Sequence, residues 1–413
     1  MKSNYRKIGD FIQLVDERNK DLKVTKLLGL SISKQFIPSV ANTIGTNMKN
    51  YKIIRKNQFA CSTMQVRRDK KMPIALLQDF EEAIISQAYP VFKIIDETIL
   101  NSEYLMMWFS RSEFDRHACF LAIGGVRGSL EWEDFLEMPI PVPSIEKQHE
   151  IVKEYNTVAN RITLNETINK KLEDTAQALY KHWFVDFEFP NKQGKPYKSN
   201  GGKMVFNEEL DLEIPLGWEN NKLGNLIESF SKSHNFIKNE LIFFNTSDIL
   251  KGEFLHNNYS SIFKMPGQAK KSIKKGDILY SEIRPKNKRF ALVRIESEDY
   301  VVSTKLMVLR RISENISVYR LYHFLTSDNF IEILQQSSEG RSGTFPQITF
   351  ELDIEKKNIL IANNNIEILW NDFLTNFYLQ TYSRKDENKL LHKFKNLLLS
   401  KMSKVAIEKE TVC

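Results

Sequence analysis

The chain repeats itself, and no other feature constrains its fold as strongly. When residue 7 is laid on residue 222, an offset of 215, Lys7-Ile8-Gly9-Asp10-Phe11-Ile12 meets Lys222-Leu223-Gly224-Asn225-Leu226-Ile227. Ser102-Glu103-Tyr104-Leu105 and Phe109 meet Ser317-Val318-Tyr319-Arg320 and Phe324, Gly128-Ser129 meets Gly343-Thr344, and Phe135 meets Phe350. The offset drifts by two around Ser86 and Ser303. A register held this nearly constant from residue 7 to residue 184 requires two copies of one structural unit.

Each copy ends in a helical pattern. From Ile151 a seam runs through Tyr155, Val158, Ile162, Asn165, Asn169, Leu172, Ala176, Leu179 and Trp183 in alternating steps of four and three. Shifted by 215 it reads Ile366, Trp370, Phe373, Phe377, Gln380, Arg384, Glu387, Leu391, Phe394 and Leu398. Such steps line residues along one stripe of a helix, as coiled-coil packing requires. Both stripes have apolar ends and a polar middle. Helices of about 33 residues exceed the usual globular length and are explained by packing on each other; packing each on its own domain is the other reading. The pairing residues are Ile151, Tyr155, Ile162, Leu172 and Leu179 with Ile366, Trp370, Phe377, Leu391 and Leu398.

Breakers set the boundaries. Pro139-Ile140-Pro141-Val142-Pro143 forbids helix and delivers an extended chain to Ser144, a good N-cap. Asn191 to Gly202, rich in Gly, Lys and Asn, reads as a linker, and Ile214-Pro215-Leu216-Gly217-Trp218 opens the second domain. The organisation is a domain over 1–143, a long helix over 144–190, a linker over 191–213, a domain over 214–358 and a second helix over 359–405. Gly276 to Tyr280, Phe290 to Ile295 and Tyr300 to Leu309 read as strands, and Glu103 to Phe114 and Val318 to Gln336 as helices. The fold class is α/β (α+β), in tandem.

A net charge of +7 and a pI near 9.0 suit a polyanionic partner. Three distant cysteines make no disulfide framework or metal cluster, so a reducing cytoplasm is expected. Met1 to Asp10 lacks the apolar core of a signal peptide, and no apolar run approaches the roughly 20 residues of a membrane span. Two basic segments, Arg67-Arg68-Asp69-Lys70-Lys71 and Arg284-Pro285-Lys286-Asn287-Lys288-Arg289, fall at nearly the same place in the repeat. Gly124-Gly125-Val126-Arg127-Gly128-Ser129 and Gly340-Arg341-Ser342-Gly343-Thr344 correspond as well. Glycine admits a phosphate close to the backbone, and Arg, Lys, Ser and Thr can bind phosphates or base edges. The candidate DNA contacts are therefore Arg67, Arg68, Lys70, Lys71, Arg127, Ser129, Arg284, Lys286, Lys288, Arg289, Arg341 and Thr344; solvated faces and plain turns are the other reading. Lys34-Gln35 and Lys232-Ser233-His234-Asn235 are weaker candidates.

Enzyme readings fail on inventory. There is no G-x-x-x-x-G-K-[ST] loop, no Asn/Asp-Pro-Pro-Tyr-type tetrapeptide and no i, i+4 histidine pair for zinc. Glu355-Lys356-Lys357 matches half of a nuclease Glu-x-Lys pair but reads more simply as a solvated strand end.

The chain resembles the specificity subunits of type I restriction–modification systems. The likeness is carried by Pro139 to Pro143 with Ile145-Glu146-Lys147-Gln148, by Leu179-Tyr180-Lys181-His182-Trp183-Phe184-Val185-Asp186-Phe187-Glu188-Phe189-Pro190, by Gly194 to Gly202, and by Ile214 to Trp218. The second copy departs from it, with Glu355-Lys356-Lys357-Asn358 standing where the first has its Pro-rich strand. The resemblance implies two target-recognition domains, each reading half of a bipartite site in double-stranded DNA, with two helices that pair as an antiparallel coiled coil and act as a ruler. A 33-residue helix spans roughly 50 Å, about 15 base pairs at 3.4 Å each. It further implies methylation subunits docked on the helices and neighbouring surfaces, motor–nuclease restriction subunits, no membrane, and no cofactor in this chain. S-adenosylmethionine, ATP and Mg would belong to the partners. A scaffold that organises partners through its helices without reading DNA is the alternative.

Overall fold

The fold was analysed in a computed structural model that describes residues 5–39, 46–64, 66–122, 128–295, 298–341 and 346–405. The chain divides into two compact units: residues up to Thr167 together with those from Arg384 onward, and Ile168–Ser383. Among the described residues no helix is long and apolar enough to cross a membrane.

The first unit is built on a four-stranded antiparallel sheet in the order Ile12–Val15, Val91–Ile94, Phe59–Cys61, Ile74–Leu76. Phe59, Ala60 and Cys61 are all buried, as an inner strand covered on both faces demands. The Phe59 ring stacks on Phe92 at 5.0 Å and meets Phe109 edge-on at 5.9 Å. The strand pairs Leu28–Leu30 with Phe36–Pro38 and Lys52–Arg55 with Glu82–Ile85 make a second layer, joined through a parallel bridge between Leu27 and Ile84. The helices are α1 (Val66–Asp69), α2 (Ser102–Phe109), α3 (Ser112–Leu121) and α4 (Trp132–Glu137). The single helix expected over Glu103 to Phe114 is thus two, because Arg111 takes an extended backbone (φ −77°, ψ 143°) that lays its guanidinium 4.1 Å over Trp108. Pro139–Pro141 pairs antiparallel with Tyr5–Lys7, in a two-stranded sheet where missing N–H groups are tolerated.

The second unit repeats this topology. Its main sheet runs Ile227–Ser229, Leu306–Arg311, Ile278–Ser281, Phe290–Leu292, and its other sheet Tyr259–Ser261, Glu240–Phe244, Tyr300–Ser303, Ala269–Ser272. Tyr300 to Leu309, expected as one strand, turns at Thr304-Lys305 and serves both sheets. The helix expected over Val318 to Gln336 is α6 (Val318–Leu325) and α7 (Asp328–Arg341). The Ser327 hydroxyl ends the first by donating to the Phe324 carbonyl at 2.8 Å and starts the second by accepting the Phe330 N–H at 3.3 Å. Asn358–Ile361, not Glu355 to Asn358, is the counterpart of the Pro-rich strand, pairing with Glu219–Lys222. A longer α7 and a π-helical turn at Phe350–Ile354 have by then moved the offset to 219 (358 minus 139).

The polar stretch over 191–213 is folded, not loose. Phe189 stacks on Tyr197 at 4.5 Å and on Trp218 at 5.0 Å, and Met204–Asn207 forms a hairpin with Leu212–Pro215. Its few apolar side chains suffice to seat it on the core of the unit.

The long helices are α5 (Ile145–Phe184) and α8 (Asn364–Val405), both shorter than the expected spans 144–190 and 359–405. α5 stops because the chain turns at Phe187, which takes a left-handed φ of 62°. In the first unit they run antiparallel, with Arg161 on Glu387 at 2.9 Å, Asn165 on Asn388 at 2.9 Å, and Lys395 over the Tyr155 ring at 5.0 Å. Val158, Ile162, Leu391 and Leu398 form one apolar cluster there, and Ile151 and Tyr155 join the domain core with Leu399 and Met402. In the second unit the other halves are also antiparallel, with Asn169 on the Thr381 carbonyl at 3.3 Å and Trp183 against Trp370 at 5.4 Å. Leu172, Leu179, Ile366, Trp370 and Phe377 lie in that core.

The α8 seam differs from the one copied by the fixed offset. Burial follows Trp370, Leu374, Phe377, Thr381, Arg384, Asn388, Leu391, Lys395, Leu398 and Met402, while Gln380 and Phe394 are exposed. The two rhythms share every seventh residue, and apolar groups at both 373 and 374 leave the choice between them to packing.

Candidate nucleic-acid interface

In both domains the basic segment is the same connection of the main sheet: Phe59–Cys61 to Ile74–Leu76 in the first, Ile278–Ser281 to Phe290–Leu292 in the second. Its local form differs. In the first domain it contains α1 and leaves Arg67, Arg68, Lys70 and Lys71 exposed, with Arg68 paired to Asp69 at 2.7 Å. Gly128, at φ 72°, sits so close to Arg67 that a Cβ there would lie 2.9 Å from the arginine Cβ. The fold thus brings Arg67 beside Gly128 and half-buried Ser129; Arg127 lies outside the described residues.

Lys34 is a strut, not a free donor. Its ammonium pairs with Asp115 at 2.8 Å, both side chains being about nine-tenths buried. Burial pulls its pKa down and Asp115 opposes the shift. Asp115 also accepts the Met72 N–H at 3.1 Å, pinning the end of the basic segment to α3.

In the second domain the segment is a 3-10 turn, Pro285–Asn287, between Arg284 and Lys288, both left-handed (φ 48° and 53°). Lys286 pairs with Glu332 at 3.1 Å and Lys288 with Asp328 at 2.6 Å, both on α7, and the Arg289 guanidinium donates to the Ser247 and Ile249 carbonyls. Arg284 is exposed and its N–H donates to the Pro346 carbonyl at 3.0 Å. Arg341, at the end of α7, grips buried Asp353 with two nitrogens at 2.9 and 2.7 Å and donates to the Gln347 carbonyl. Burial pushes the Asp353 carboxyl up, but hydrogen bonds from Arg341, the Thr349 N–H and Ser337 outweigh it and hold the pKa below the usual range. The fold therefore gathers Arg284, Lys286, Lys288, Arg289 and Arg341 around α7, and Lys286, Lys288, Arg289 and Arg341 hold internal partners there. Thr344 lies outside the described residues. Lys286 and Lys288 are surface pairs of a kind that contributes up to about 1 kcal/mol, so a phosphate can displace either carboxylate.

The weaker candidate segment, Lys232 to Asn235, stands at a cleft of about 330 Å³ with Lys274 on the opposite rim. Two of its four residues, Ser233 and Asn235, are uncharged, so the segment stands out less in the sequence than the basic loops do.

Each domain grips its helix through one buried polar side chain. Gln148, fully buried, accepts the Asn101 N–H at 2.8 Å and donates to the Ile99 and Pro143 carbonyls. Glu367, the fourth residue of α8 as Gln148 is of α5, accepts the Ala362 N–H at 3.0 Å and faces buried Arg320 at 3.8 Å. Among the described residues no group of three or more His, Cys, Asp or Glu is placed to hold a metal ion.

The family described as type I restriction modification DNA specificity domain matches the chain twice, over residues 2–174 and 215–361. The type I restriction enzyme HindI specificity subunit of Haemophilus influenzae is 44% identical over 135 residues, 32% of this chain and 29% of that protein. The match thus spans under a third of the Haemophilus subunit. The MjaIX specificity subunit of Methanocaldococcus jannaschii is 25% identical over 324 residues, 75% of this chain and 70% of that one. The crystal structure of a type I restriction–modification S subunit from M. genitalium shares the fold, with a TM-score of 0.58 at 14% identity over 97% of this chain and 96% of the other.

Proposed function

Since this chain belongs to the type I restriction modification DNA specificity family, we propose that it is the DNA-reading, non-catalytic subunit of a type I restriction–modification complex. Each recognition domain reads one half of a bipartite site in double-stranded DNA. The paired helices set the gap between the half-sites and dock methylation subunits, which carry S-adenosylmethionine; restriction subunits bring ATP and Mg.

One observation carries this reading. Two domains of identical strand order expose a basic segment from the same sheet connection, and each is clamped to one of two antiparallel helices through a buried Gln148 or Glu367. A scaffold needs the helices but has no use for two matched cationic connections. Docking on the helices is supported by solvent-facing apolar side chains on α8: Leu390, Phe394 and Leu397 in the first unit, and Ile368, Leu369 and Leu379 in the second. Arg67, Arg68, Lys70 and Lys71, and Arg284, Lys286, Lys288, Arg289 and Arg341, supply phosphate contacts that orient each domain. Arg127, Ser129 and Thr344 are proposed as further DNA contacts.

The test is co-expression with a type I methylation subunit from the same genome, followed by sequencing of modified adenines in the host DNA. A split motif with a fixed gap is expected. Assembly of the complex without any modification would shift the assignment to the scaffold.

A further inference from the structure

The strongest cations of the second domain are largely committed inside the protein, whereas a cleft elsewhere in it presents donors with no internal duty. It lies between the segment that follows strand Ile227–Ser229 and the turn before strand Ile278–Ser281. Lys232, Ser233 and Asn235 on one rim and Lys274 on the other are exposed. Among the described residues their side chains have no hydrogen-bond or ion-pair partner.

The rims are nonetheless rigid. The His234 Nδ1 accepts the Phe236 N–H at 2.9 Å, so the ring proton sits on Nε2 and donates to the Glu298 carbonyl at 2.8 Å. The Lys232 carbonyl accepts the Ser272 N–H at 3.0 Å. Below them, buried Asp277 accepts two hydrogen bonds from Arg310 at 2.8 Å and the Lys274 N–H at 2.8 Å. The same Arg310 stacks 3.4 Å over Phe230, two residues before Lys232. One buried ion pair therefore fixes both rims, and the free side chains project from a preorganised frame.

The frame is a feature of the repeat. An isolated bridge joins Ser233 to Lys271, and its counterpart joins Arg18 to Lys52 in the first domain. Both paired lysines turn inward onto backbone carbonyls, Lys271 onto Leu306 at 2.9 Å and Lys52 onto Tyr89 at 3.0 Å. The scaffold is retained while the residues on it differ, Lys232-Ser233-His234-Asn235 against Glu17-Arg18-Asn19-Lys20; in the first domain Asn19 is buried and bonded to Val24, and Arg18 bonds Asp16 and the Asn50 carbonyl. The same frame thus presents free donors in the second domain and internally bonded groups in the first, so the two copies offer different chemistry there.

We infer that this cleft is the base-reading element of the second domain, an inference that rests on the DNA-reading function proposed above. Asn235 carries the amide that can bond both hydrogen-bonding groups of an adenine edge, and Lys232 and Ser233 donate to base or backbone acceptors beside it. Lys274 neutralises a phosphate across the cleft. The Arg284–Arg289 turn serves position, not sequence.

The experiment compares the full chain, Asn235→Ala, and Lys232→Ala with Lys274→Ala, each co-expressed with the methylation subunit. Modified host adenines are sequenced, and each purified complex is titrated with a duplex carrying the parent motif at several salt concentrations. Asn235→Ala should leave one half-site intact and make at least one position of the other degenerate, with about ten-fold weaker binding to the parent duplex. The double variant should weaken binding to all duplexes and lower the salt slope by about two. Melting temperatures equal to the parent's will show that the exposed substitutions leave the fold intact. Both variants methylating the parent motif to the parent's extent would overturn the assignment of the cleft while leaving the function standing. A parent complex that modifies no split motif would overturn the function and the cleft with it.

Discussion

His323 lies where α6 meets both long helices, with its ring 5.5 Å from Tyr180 and 5.9 Å from Trp370. Its Nδ1 is 3.4 Å from the Tyr378 hydroxyl. Burial, then the nearby Arg320 charge, pull its pKa down to about 3. The folded value is below the ordinary 6.5, so between the two the unfolded chain binds the extra proton. Stability is then undiminished above pH 6.5 and is lost as pH falls towards 3, by up to about 1.4 kcal/mol per pH unit. His323→Phe, which keeps an aromatic ring and cannot charge, should flatten this limb; denaturant titrations at pH 7.0, 6.0 and 5.0 would detect it. Equal slopes in both proteins would show that other groups set the acid sensitivity. At this scale little was legible beforehand. Lys34 and Lys232 look alike in sequence, yet one is buried against Asp115 and the other is free. A side chain's commitments depend on which distant residues fold beside it.

At the scale of elements, the helices illustrate what periodicity can decide. That two long helices pair was readable from apolar residues three and four apart, and so was half of the α8 seam. The alternate positions were not. Leu374 is fully buried while Phe394, one of the more apolar residues of the expected seam, is 47% exposed. Leu374→Ala should cost about 2–5 kcal/mol in chemical unfolding, as large-to-small changes in a packed core do. Phe394→Ala should change stability by under about 0.5 kcal/mol. Replacing Leu390, Phe394 and Leu397 together by Ser should weaken co-purification of the methylation subunit while the melting temperature holds; undiminished assembly would remove that face from the docking surface. The polar layer behaves differently. Asn165, buried, bonds both Glu387 and Asn388, and such groups fix helix register at some loss of stability. The short elements were less legible, because the breaks at Arg111 and Ser327 arise from one cation–π contact and one serine hydroxyl rather than from a helix-breaking residue.

For the whole molecule, the helices as spacer make the sharpest claim. Inserting seven residues in each helix adds about two turns, roughly 10 Å of rise, and keeps the seam in phase. The gap in the methylated motif should lengthen by about three base pairs; modification of the parent motif with its original gap would refute the spacer. The sequence by itself determined the duplication, the mixed α and β content, the presence of two pairing helices and the placing of basic segments at matched points. Those follow from local chemistry: periodicity, breakers and charge are properties of neighbouring residues. Tertiary structure alone decided that the polar run over 191–213 is folded, that the α8 seam shifts by one at alternate positions, and which cations are free. Each of these depends on contacts between residues far apart in the chain, where small differences in packing and desolvation select among patterns that local propensity leaves equal.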